Sequence, residues 1–230
     1  MKYGIITGAS RGIGRAIAVT LATENYKLFL QGRDEKGLSK SCKLVTDEGG
    51  KAVPIIADLS SSQGVDTVVN MTNKKPLDLI VNNAGMAVVK PFEEITLEEW
   101  QRTLAVNVTA PFLLIKNLLP VLTDNASIVN ILSIAARTGF PNWSSYCMSK
   151  FALEGFTQSI REELRPRGIR VINIYPSTTN TDIWDNIPGE WHREQMMSPD
   201  EVARAVCFAV NRPSSVLVEN ITIGGLSGTQ

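Results

Sequence analysis

Short apolar runs rich in Val, Ile and Leu alternate along this chain with longer stretches that have a helical period. This order is typical of a parallel sheet with helices on both sides. None of the runs alternates polar with apolar residues, so both faces of every strand are expected to be covered. The seven predicted strands are residues 2–7, 27–31, 52–57, 77–82, 127–131, 170–175 and about 220–223. The sequence therefore predicts a doubly wound α/β fold.

The length and charge of the chain limit its organisation and its partners. Its 230 residues carry 23 Lys and Arg against 23 Asp and Glu, which fits one domain over residues 1–230. The longest basic run is Lys74-Lys75, and the first apolar run, residues 3–6, is too short for a signal or membrane-spanning segment. We therefore expect a cytoplasmic protein that binds a small molecule, and neither nucleic acid nor a membrane.

A glycine-rich segment follows the first predicted strand and opens the first predicted helix. Gly8, Gly12 and Gly14 have a GxxxGxG spacing there. Glycine allows a sharp turn and a close approach of the backbone to a pyrophosphate, which the N–H groups and dipole of the helix attract. The alternative is a turn that needs glycine only for its own dihedral angles. The position favours a phosphate-bearing ligand.

The end of the second predicted strand indicates which dinucleotide is bound. An NAD site has an acidic residue there on the ribose hydroxyls, whereas this chain reads Gln31-Gly32-Arg33. Arg33, together with Arg11 in the glycine-rich turn, can pair with a 2′-phosphate. In the alternative interpretation Arg33 is solvated and Asp34 caps the next helix. We predict NADP(H) as the cofactor.

Tyr146 and Lys150 are four residues apart at the start of a predicted helix that runs toward Leu164. Residues with this spacing share a helix face, so the ammonium can lie near the phenol oxygen. At ~5 Å and an effective dielectric constant of ~20, that charge lowers a tyrosine pKa from about 10 to about 8. A second positive charge is needed to reach neutrality. Most isolated pairs of this kind are ordinary surface contacts.

Several motifs, in order and across essentially the whole chain, resemble those of the short-chain dehydrogenase/reductase family. The matching positions are residues 7–14, 58–59, 82–85, Asn107, Ser133, the Tyr146/Lys150 pair and residues 176–181. The resemblance implies a Rossmann sheet of seven parallel strands and a bound NAD(P). It also implies hydride transfer between the nicotinamide and a carbonyl or alcohol carbon, as in carbonyl or 3-oxoacyl reductases.

The resemblance further implies a role for each matching residue. Tyr146 would exchange a proton with the substrate oxygen, Lys150 would lower the pKa of Tyr146 and hold the nicotinamide ribose, and Ser133 would orient the substrate oxygen. The backbone of Asn107 would help to position a water on the proton path, unless this asparagine merely faces solvent. Asp58 would meet the adenine. The expected cofactor-binding residues are Gly8, Ser10, Arg11, Gly12, Ile13, Gly14, Arg33, Asp58, Leu59, Asn83, Ala84, Gly85, Tyr146, Lys150, Pro176 and Thr181.

The segment after the sixth predicted strand departs from the family pattern. Ser177 stands where the family usually has a glycine, so the backbone is expected to lie farther from the nicotinamide. Residues 177–197 lack a regular period and carry two tryptophans and two methionines. We predict a lid that closes over the cofactor and a largely apolar substrate. The alternative is a loop fixed on the core or on a neighbouring subunit.

Other residues are given structural interpretations. His192 is predicted to lie on the surface, Cys147 to be a buried packing thiol, and no metal site is indicated. A predicted helix over residues 96–119 is apolar almost all round from residue 105 onward, which suggests burial against a second copy. Relatives use the corresponding helices in dimers or tetramers, so we expect a homodimer or homotetramer.

Three functional hypotheses follow. The first is an NADP-dependent carbonyl reductase in which Tyr146 is the general acid. The others are an alcohol dehydrogenase that works in the oxidative direction and a sensor that binds NADP without turnover. The intact Ser133, Tyr146 and Lys150 set favours an enzyme, and the chain after Thr181 is too short for the extra domain of a sugar-nucleotide epimerase.

Overall fold

Seven parallel strands form one sheet in the computed structural model, which describes residues 1–72 and 75–226. The strand order is β3-β2-β1-β4-β5-β6-β7. The strands are β1 (Lys2–Ile6), β2 (Tyr26–Gly32), β3 (Lys51–Ile56), β4 (Leu77–Asn82), β5 (Leu122–Ile131), β6 (Arg170–Pro176) and β7 (Asn220–Ile223). The predicted doubly wound sheet is confirmed. Its order reverses between β1 and β4, where ligands bind at the carboxyl ends of such strands.

Helices cover both faces of this sheet. They are α1 (Gly12–Thr20), α2 (Glu35–Asp47), α3 (Ser62–Thr72), α4 (Leu97–Leu104), α5 (Ala110–Leu118), α6 (Ser144–Leu164) and α7 (Pro199–Val210). Ile6 packs in the core beneath α1, α2 and α7, and its neighbour Ile5 packs beneath α3, α5 and α6. Successive strand residues thus point into different layers. Burial of each such side chain contributes roughly 1.5–3 kcal/mol.

The two edge strands contradict the prediction that both faces of every strand are covered. Residues of β7 alternate between exposed and partly buried, and Ile56 in β3 is 51% exposed. Each edge strand has one neighbouring strand and lies at the margin of the helical layers. Its side chains therefore keep contact with water, which a pattern of apolar residues does not reveal.

A π-helical turn interrupts the helix predicted over residues 96–119. The start is as predicted, because Thr96 and Glu99 form a complete capping box. Residues Ala105–Thr109 then widen into the π turn before α5 begins. Such turns are rare and often occur at functional sites. By length and composition alone, Leu97–Val121 could cross a membrane, as could many a core helix of a water-soluble protein.

A row of asparagines crosses the sheet on the α6 side. Asn82, Asn130, Asn173 and Asn220 occupy paired positions on β4, β5, β6 and β7. Asn82 Nδ2 donates to Asn130 Oδ1 at 2.9 Å, and Asn130 Nδ2 donates to Asn173 Oδ1 at 3.2 Å. We call these four residues the asparagine row. These two hydrogen bonds pair the amides of the three buried members, which would be costly to bury alone. Among the described residues, Asn82 Oδ1 has no partner.

The segment 177–197 has more structure than its sequence suggests. Thr179 and Met197 form a parallel bridge, and the Asn180 N–H donates to the Met197 carbonyl at 2.8 Å. Two short 3₁₀ turns, Asp182–Asn186 and Arg193–Gln195, lie between them. The segment is therefore a loop whose two ends are hydrogen-bonded to each other.

Candidate active site

A cleft with a volume of about 490 Å³ lies at the carboxyl ends of the strands. It brings together all the site residues expected from the sequence except Gly14 and Asn107, which do not line it. One end lies at the glycine-rich turn and the other at Tyr146. Lining residues that the sequence reasoning missed include Gln31, Met86, Phe140, Trp143, Thr179 and Asp182.

The glycine-rich turn has a geometry that requires glycine. Gly8 and Gly12 have φ values of +64° and +55°, a region that other residues rarely adopt. At Gly14 a Cβ atom would lie 2.4 Å from the Gly8 carbonyl oxygen. Among the residues described, no side chain caps the first N–H groups of α1. These free donors at the positive end of the helix fit a phosphate group.

Polar side chains from neighbouring strands brace this turn. Thr7 Oγ1 accepts hydrogen bonds from the N–H groups of Asn83 and Ala84, both at 3.0 Å. The Asn83 amide in turn donates to the carbonyl oxygens of Thr7 at 2.9 Å and Gly8 at 3.2 Å. Gln31 accepts from the Gly8 N–H at 3.0 Å. A glutamine inside an apolar strand was the sequence signal for this contact, since a buried amide needs partners.

The two arginines expected at a 2′-phosphate both line the cleft, and each faces a carboxylate. Arg33 Nη1 lies 3.8 Å from Asp58 Oδ2, and Arg11 Nη1 lies 3.7 Å from Asp182 Oδ2. All four side chains are about half exposed. Such pairs contribute little to stability, so a phosphate can replace either carboxylate as the partner of its arginine.

The two carboxylates nearest to Arg33 have different environments. Partial burial raises the pKa of Asp58, but hydrogen bonds from Ser60 and the charge of Arg33 outweigh it and the pKa is lowered. Asp34 stands at the N-cap position of α2, yet within the described chain its side chain makes no capping hydrogen bond. The interpretation of Asp34 as a capping residue therefore has no support from a hydrogen bond.

Ser133, Tyr146 and Lys150 meet at the other end of the cleft. The Ser133 hydroxyl accepts from the Ala135 N–H at 3.1 Å, and Ser133 lines the cleft together with Tyr146. Lys150 Nζ donates to the Ile131 carbonyl oxygen at 2.8 Å and lies 5.6 Å from the centre of the Tyr146 ring. As predicted, the tyrosine and the lysine share one face of α6.

Burial dominates the protonation of this pair. It raises the pKa of Tyr146 to about 12, against the opposing effect of the hydrogen bond with Ser133. It also lowers the pKa of Lys150 to about 8. The Tyr146 pKa therefore differs from the value of about 8 expected from the charge of Lys150, because burial is the largest influence on each group. At neutral pH Tyr146 is protonated.

Asn107 is buried and does not face solvent, so that alternative is wrong. Its Oδ1 accepts from the Met86 N–H and its Nδ2 donates to the Met86 carbonyl oxygen, both at 2.9 Å. The same Nδ2 donates to Ser149 Oγ at 2.9 Å, which donates to the Tyr146 carbonyl oxygen at 2.7 Å. The side chain thus ties the π turn both to the segment after β4 and to the catalytic helix.

Ser177 is accommodated by a glycine across the strand pair. Its N–H donates to the Ile223 carbonyl oxygen at 2.9 Å, which continues the pairing of β6 with β7. A Cβ atom on Gly224 would lie 2.8 Å from Ser177 Oγ. The serine side chain occupies the space that a larger residue at Gly224 would need.

Aromatic rings continue outward from Tyr146 along the substrate end of the cleft. The Trp143 ring lies edge-on to Tyr146 at 5.5 Å and to Trp184 at 5.9 Å, and Trp184 lies 4.6 Å from Trp191. We call the three tryptophans the aromatic wall. Sequence reasoning missed Trp143, although it precedes Tyr146 by three residues, a spacing that makes neighbours on a helix.

The remaining residues with predicted positions are His192, Cys147 and the two methionines of the loop. His192 is exposed and Cys147 is buried, as predicted. Met196 and Met197 are buried at the base of the loop and do not line the cleft. Of the four apolar residues attributed to the lid, only the two tryptophans therefore face the cleft.

Comparison with known proteins gives a consistent result. A family model described as short chain dehydrogenase matches residues 2–190. An uncharacterized oxidoreductase of Staphylococcus saprophyticus is 32% identical over 227 residues, which is 96% of each chain. The alcohol dehydrogenase of the archaeon Thermococcus sibiricus, solved with 5-hydroxy-NADP, is 28% identical with a TM-score of 0.91 over 100% of this chain and 99% of that one. The landomycin C-6 ketoreductase LanV, solved with NADP and rabelomycin, is 28% identical with a TM-score of 0.86 over 96% and 94%.

Proposed function

Because this chain belongs to the short-chain dehydrogenase/reductase family, we propose that it is an NADPH-dependent reductase that converts a carbonyl group of a small molecule to an alcohol. One observation carries this proposal. Ser133, Tyr146 and Lys150 lie together at one end of a cleft whose other end is the glycine-rich turn. The solved relatives described above support NADP as the cofactor.

The residues of the cleft fit such a cofactor. The free N–H groups at the start of α1 would hold the pyrophosphate, and Arg11 and Arg33 would pair with the 2′-phosphate. Asp58 would lie by the adenine, with Asn83–Gly85 backbone along the middle and Thr181 toward the carboxamide. When bound, NADPH supplies the hydride that reduces the carbonyl carbon.

The side chains around Tyr146 would complete the reaction. The hydroxyl groups of Ser133 and Tyr146 would both donate to the carbonyl oxygen and hold it as negative charge develops there. Tyr146 would then release its proton to that oxygen, while the positive charge of Lys150 stabilises the phenolate left behind. A tyrosine kept protonated by burial suits this direction, since oxidation of an alcohol would need the phenolate at the start.

The aromatic end of the cleft also indicates the kind of substrate and a role for the loop. The aromatic wall favours a largely apolar substrate, and we propose that residues 177–197 form the loop that covers it.

The exposed Phe112 on α5 and Phe151 on α6 would be buried in a homodimer or homotetramer. The free thiols are those of a protein in a reducing compartment, which fits the cytoplasm.

The test is NADPH oxidation measured with a panel of ketones, aldehydes and diketones, beside NADPH binding by fluorescence titration. Turnover of at least one carbonyl compound, lost in Tyr146→Phe, is the expected result. Binding without any turnover would favour the sensor, and faster NADP⁺ reduction with the matching alcohols at neutral pH would favour the oxidative direction. Failure to bind either NADP(H) form would overturn the proposal.

A further inference from the structure

The substrate end of the cleft differs in chemistry from the rest of it. Three tryptophan rings line this end, and two of the indole N–H groups already donate hydrogen bonds. Trp184 Nε1 donates to the Thr179 carbonyl oxygen at 2.8 Å, and Trp191 Nε1 donates to the Ile187 carbonyl oxygen at 3.2 Å. These bonds fix the two rings of the loop and leave their carbon surfaces to face the cleft. Phe140 and Ile183 add further apolar surface.

Charge is scarce at this end. Of the charged residues that line the cleft in the described chain, Arg33, Asp34 and Asp58 lie toward the glycine-rich turn, and Arg11 is paired with Asp182. Only Lys150 remains near Tyr146, and its Nζ is held by a backbone carbonyl. A substrate with a carboxylate or phosphate near its carbonyl would therefore lose its hydration without gaining a cationic partner.

The position of Trp143 decides which part of the substrate meets the aromatic wall. Its ring centre lies 5.5 Å from that of Tyr146, so it lies beside the side chain that would protonate the substrate carbonyl. Aromatic rings pair edge-to-face or offset with centres ~4.5–7 Å apart. The three tryptophans already meet each other at tilted or edge angles, and a flat ring can join that arrangement.

We propose that Trp143 and Trp184 are specificity-determining residues that select a carbonyl compound with an uncharged aromatic ring attached at or next to the carbonyl carbon, over an aliphatic compound of the same size. This inference rests on the proposed reductase function and deepens it. Aromatic pairs gain free energy beyond the burial of area alone. The expected preference is therefore about two- to tenfold for each ring contact, which an apolar pocket without aromatic walls would not show.

The experiment compares two substrates of matched shape, acetophenone and cyclohexyl methyl ketone. Wild type is expected to show a kcat/KM ratio of about tenfold or more in favour of the aryl ketone. In Trp143→Leu, which keeps Trp184, the ratio should fall about two- to tenfold, and in Trp143→Phe, which keeps a ring, much of it should return. Trp143 suits this test because, in the part of the chain that the structure describes, its indole N–H has no hydrogen-bond partner to lose.

The exposed Trp100 on α4, which does not line the cleft, supplies the matched control. Trp100→Leu should keep the wild-type ratio. An equal ratio in wild type and Trp143→Leu would overturn the inference while leaving the reductase proposal intact, because both ketones would still be reduced.

A binding measurement tests the aromatic preference independently of whether the protein turns over any ketone. Benzamide and cyclohexanecarboxamide have a carbonyl oxygen for Tyr146 but are not reduced by NADPH. Calorimetry on NADPH-loaded protein should show tighter binding of benzamide, with the difference lost in Trp143→Leu and Trp184→Leu. This preference can appear even if no ketone is turned over, whereas equal affinity for the two amides would refute the aromatic selection.

Discussion

The two ends of the cleft are built in different ways. At the glycine-rich turn the contacts come from the backbone and from short polar side chains at the ends of central strands, namely Thr7, Asn83 and Gln31. At the aromatic end they come from rings, two of which belong to a loop whose ends are hydrogen-bonded to each other. The glycine-rich end is therefore shaped for one kind of ligand. The aromatic end can be changed by substitution of its rings without disturbing the sheet.

The largest expected effect is at Tyr146, from which the aromatic wall extends outward. Tyr146→Phe should lower kcat by ~10²–10⁴-fold and leave NADPH binding nearly unchanged, because one oxygen is removed from a cleft. Steady-state kinetics and fluorescence titration measure the two quantities. Tyr3→Phe, at a tyrosine outside the cleft, is the control. Retention of more than about a tenth of the wild-type kcat would refute general acid catalysis by Tyr146.

The rigidity of the glycine-rich end is tested by Gly14→Ala. The new methyl group would lie 2.4 Å from the Gly8 carbonyl oxygen and 2.5 Å from Asn83 Nδ2. We expect the free energy of unfolding to fall by about 1–3 kcal/mol and the Kd for NADPH to rise at least about tenfold. Gly155→Ala, where the described structure has open space, should instead gain about 0.5–1 kcal/mol. Equal urea denaturation curves for the two variants would show that the turn is not tightly packed.

A substitution at Lys150 measures how much the burial of this ammonium group lowers the free energy of unfolding. Burial lowers its pKa from 10.5 to about 8, so between these values the unfolded chain binds more protons and wild-type stability rises with pH. Lys150→Met should therefore unfold less readily than wild type at pH 7, by about 1–3 kcal/mol after the loss of the bond to Ile131. The advantage should shrink as the pH approaches the unfolded-state pKa. Urea denaturation across pH measures it, and a less stable variant at pH 7 would contradict the prediction.

Cofactor choice is expected to depend on an exposed side chain at the glycine-rich end. Arg33→Asp should reduce the preference for NADPH over NADH about tenfold or more, because the carboxylate repels the 2′-phosphate and accepts from the ribose hydroxyls. The ratio of the two Kd values measures this. Arg204→Asp, on the exposed side of α7, should keep the wild-type ratio. If the wild-type protein binds NADH as tightly as NADPH, Arg33 has no role in the choice of cofactor.

The smallest effect concerns the loop that carries part of the aromatic wall. Amide exchange in residues 181–195 should be fast in the free protein and slow down with NADPH and benzamide. The amides of Asn180 and Met197, which are bonded across the base of the loop, should change little. Hydrogen exchange with mass spectrometry measures this. Equal protection of the loop in both states would show that the loop is rigid. The two ends of the cleft would then differ in chemistry but not in mobility.

The glycine-rich end could be predicted from the sequence because its chemistry is local. Gly8, Gly12 and Gly14 follow a strand directly and open a helix, so their spacing predicts the turn and their position favours a phosphate-bearing ligand. The pairing of Tyr146 with Lys150 could be predicted in the same way, because residues four positions apart on a helix share a face. What spacing could not supply was the effect of burial on both pKa values, which depends on every residue packed around the pair.

The aromatic end could not be predicted in the same way. Trp143 and Trp184 are 41 residues apart, and no local pattern states that their rings meet. The burial of Met196 and Met197 depends on the pairing of Thr179 with Met197, which is also a long-range contact. The π turn at Ala105–Thr109 leaves the apolar pattern of the helix intact, so periodicity predicted one continuous helix.

The asparagine row restricts how the centre of this protein can change by mutation. Replacement of Asn130 by leucine would leave Asn82 Nδ2 and Asn173 Oδ1 buried without partners, at about 1–3 kcal/mol for each group. The surrounding Ile, Val and Leu residues can be exchanged for one another at less than about 1.5 kcal/mol. Substitutions around the row are therefore tolerated at small cost, whereas Asn82, Asn130 and Asn173, which are bonded to each other, can be replaced only together. The row also disfavours slipped strand pairings, because a shift by one residue would turn every amide into the opposite layer of the protein.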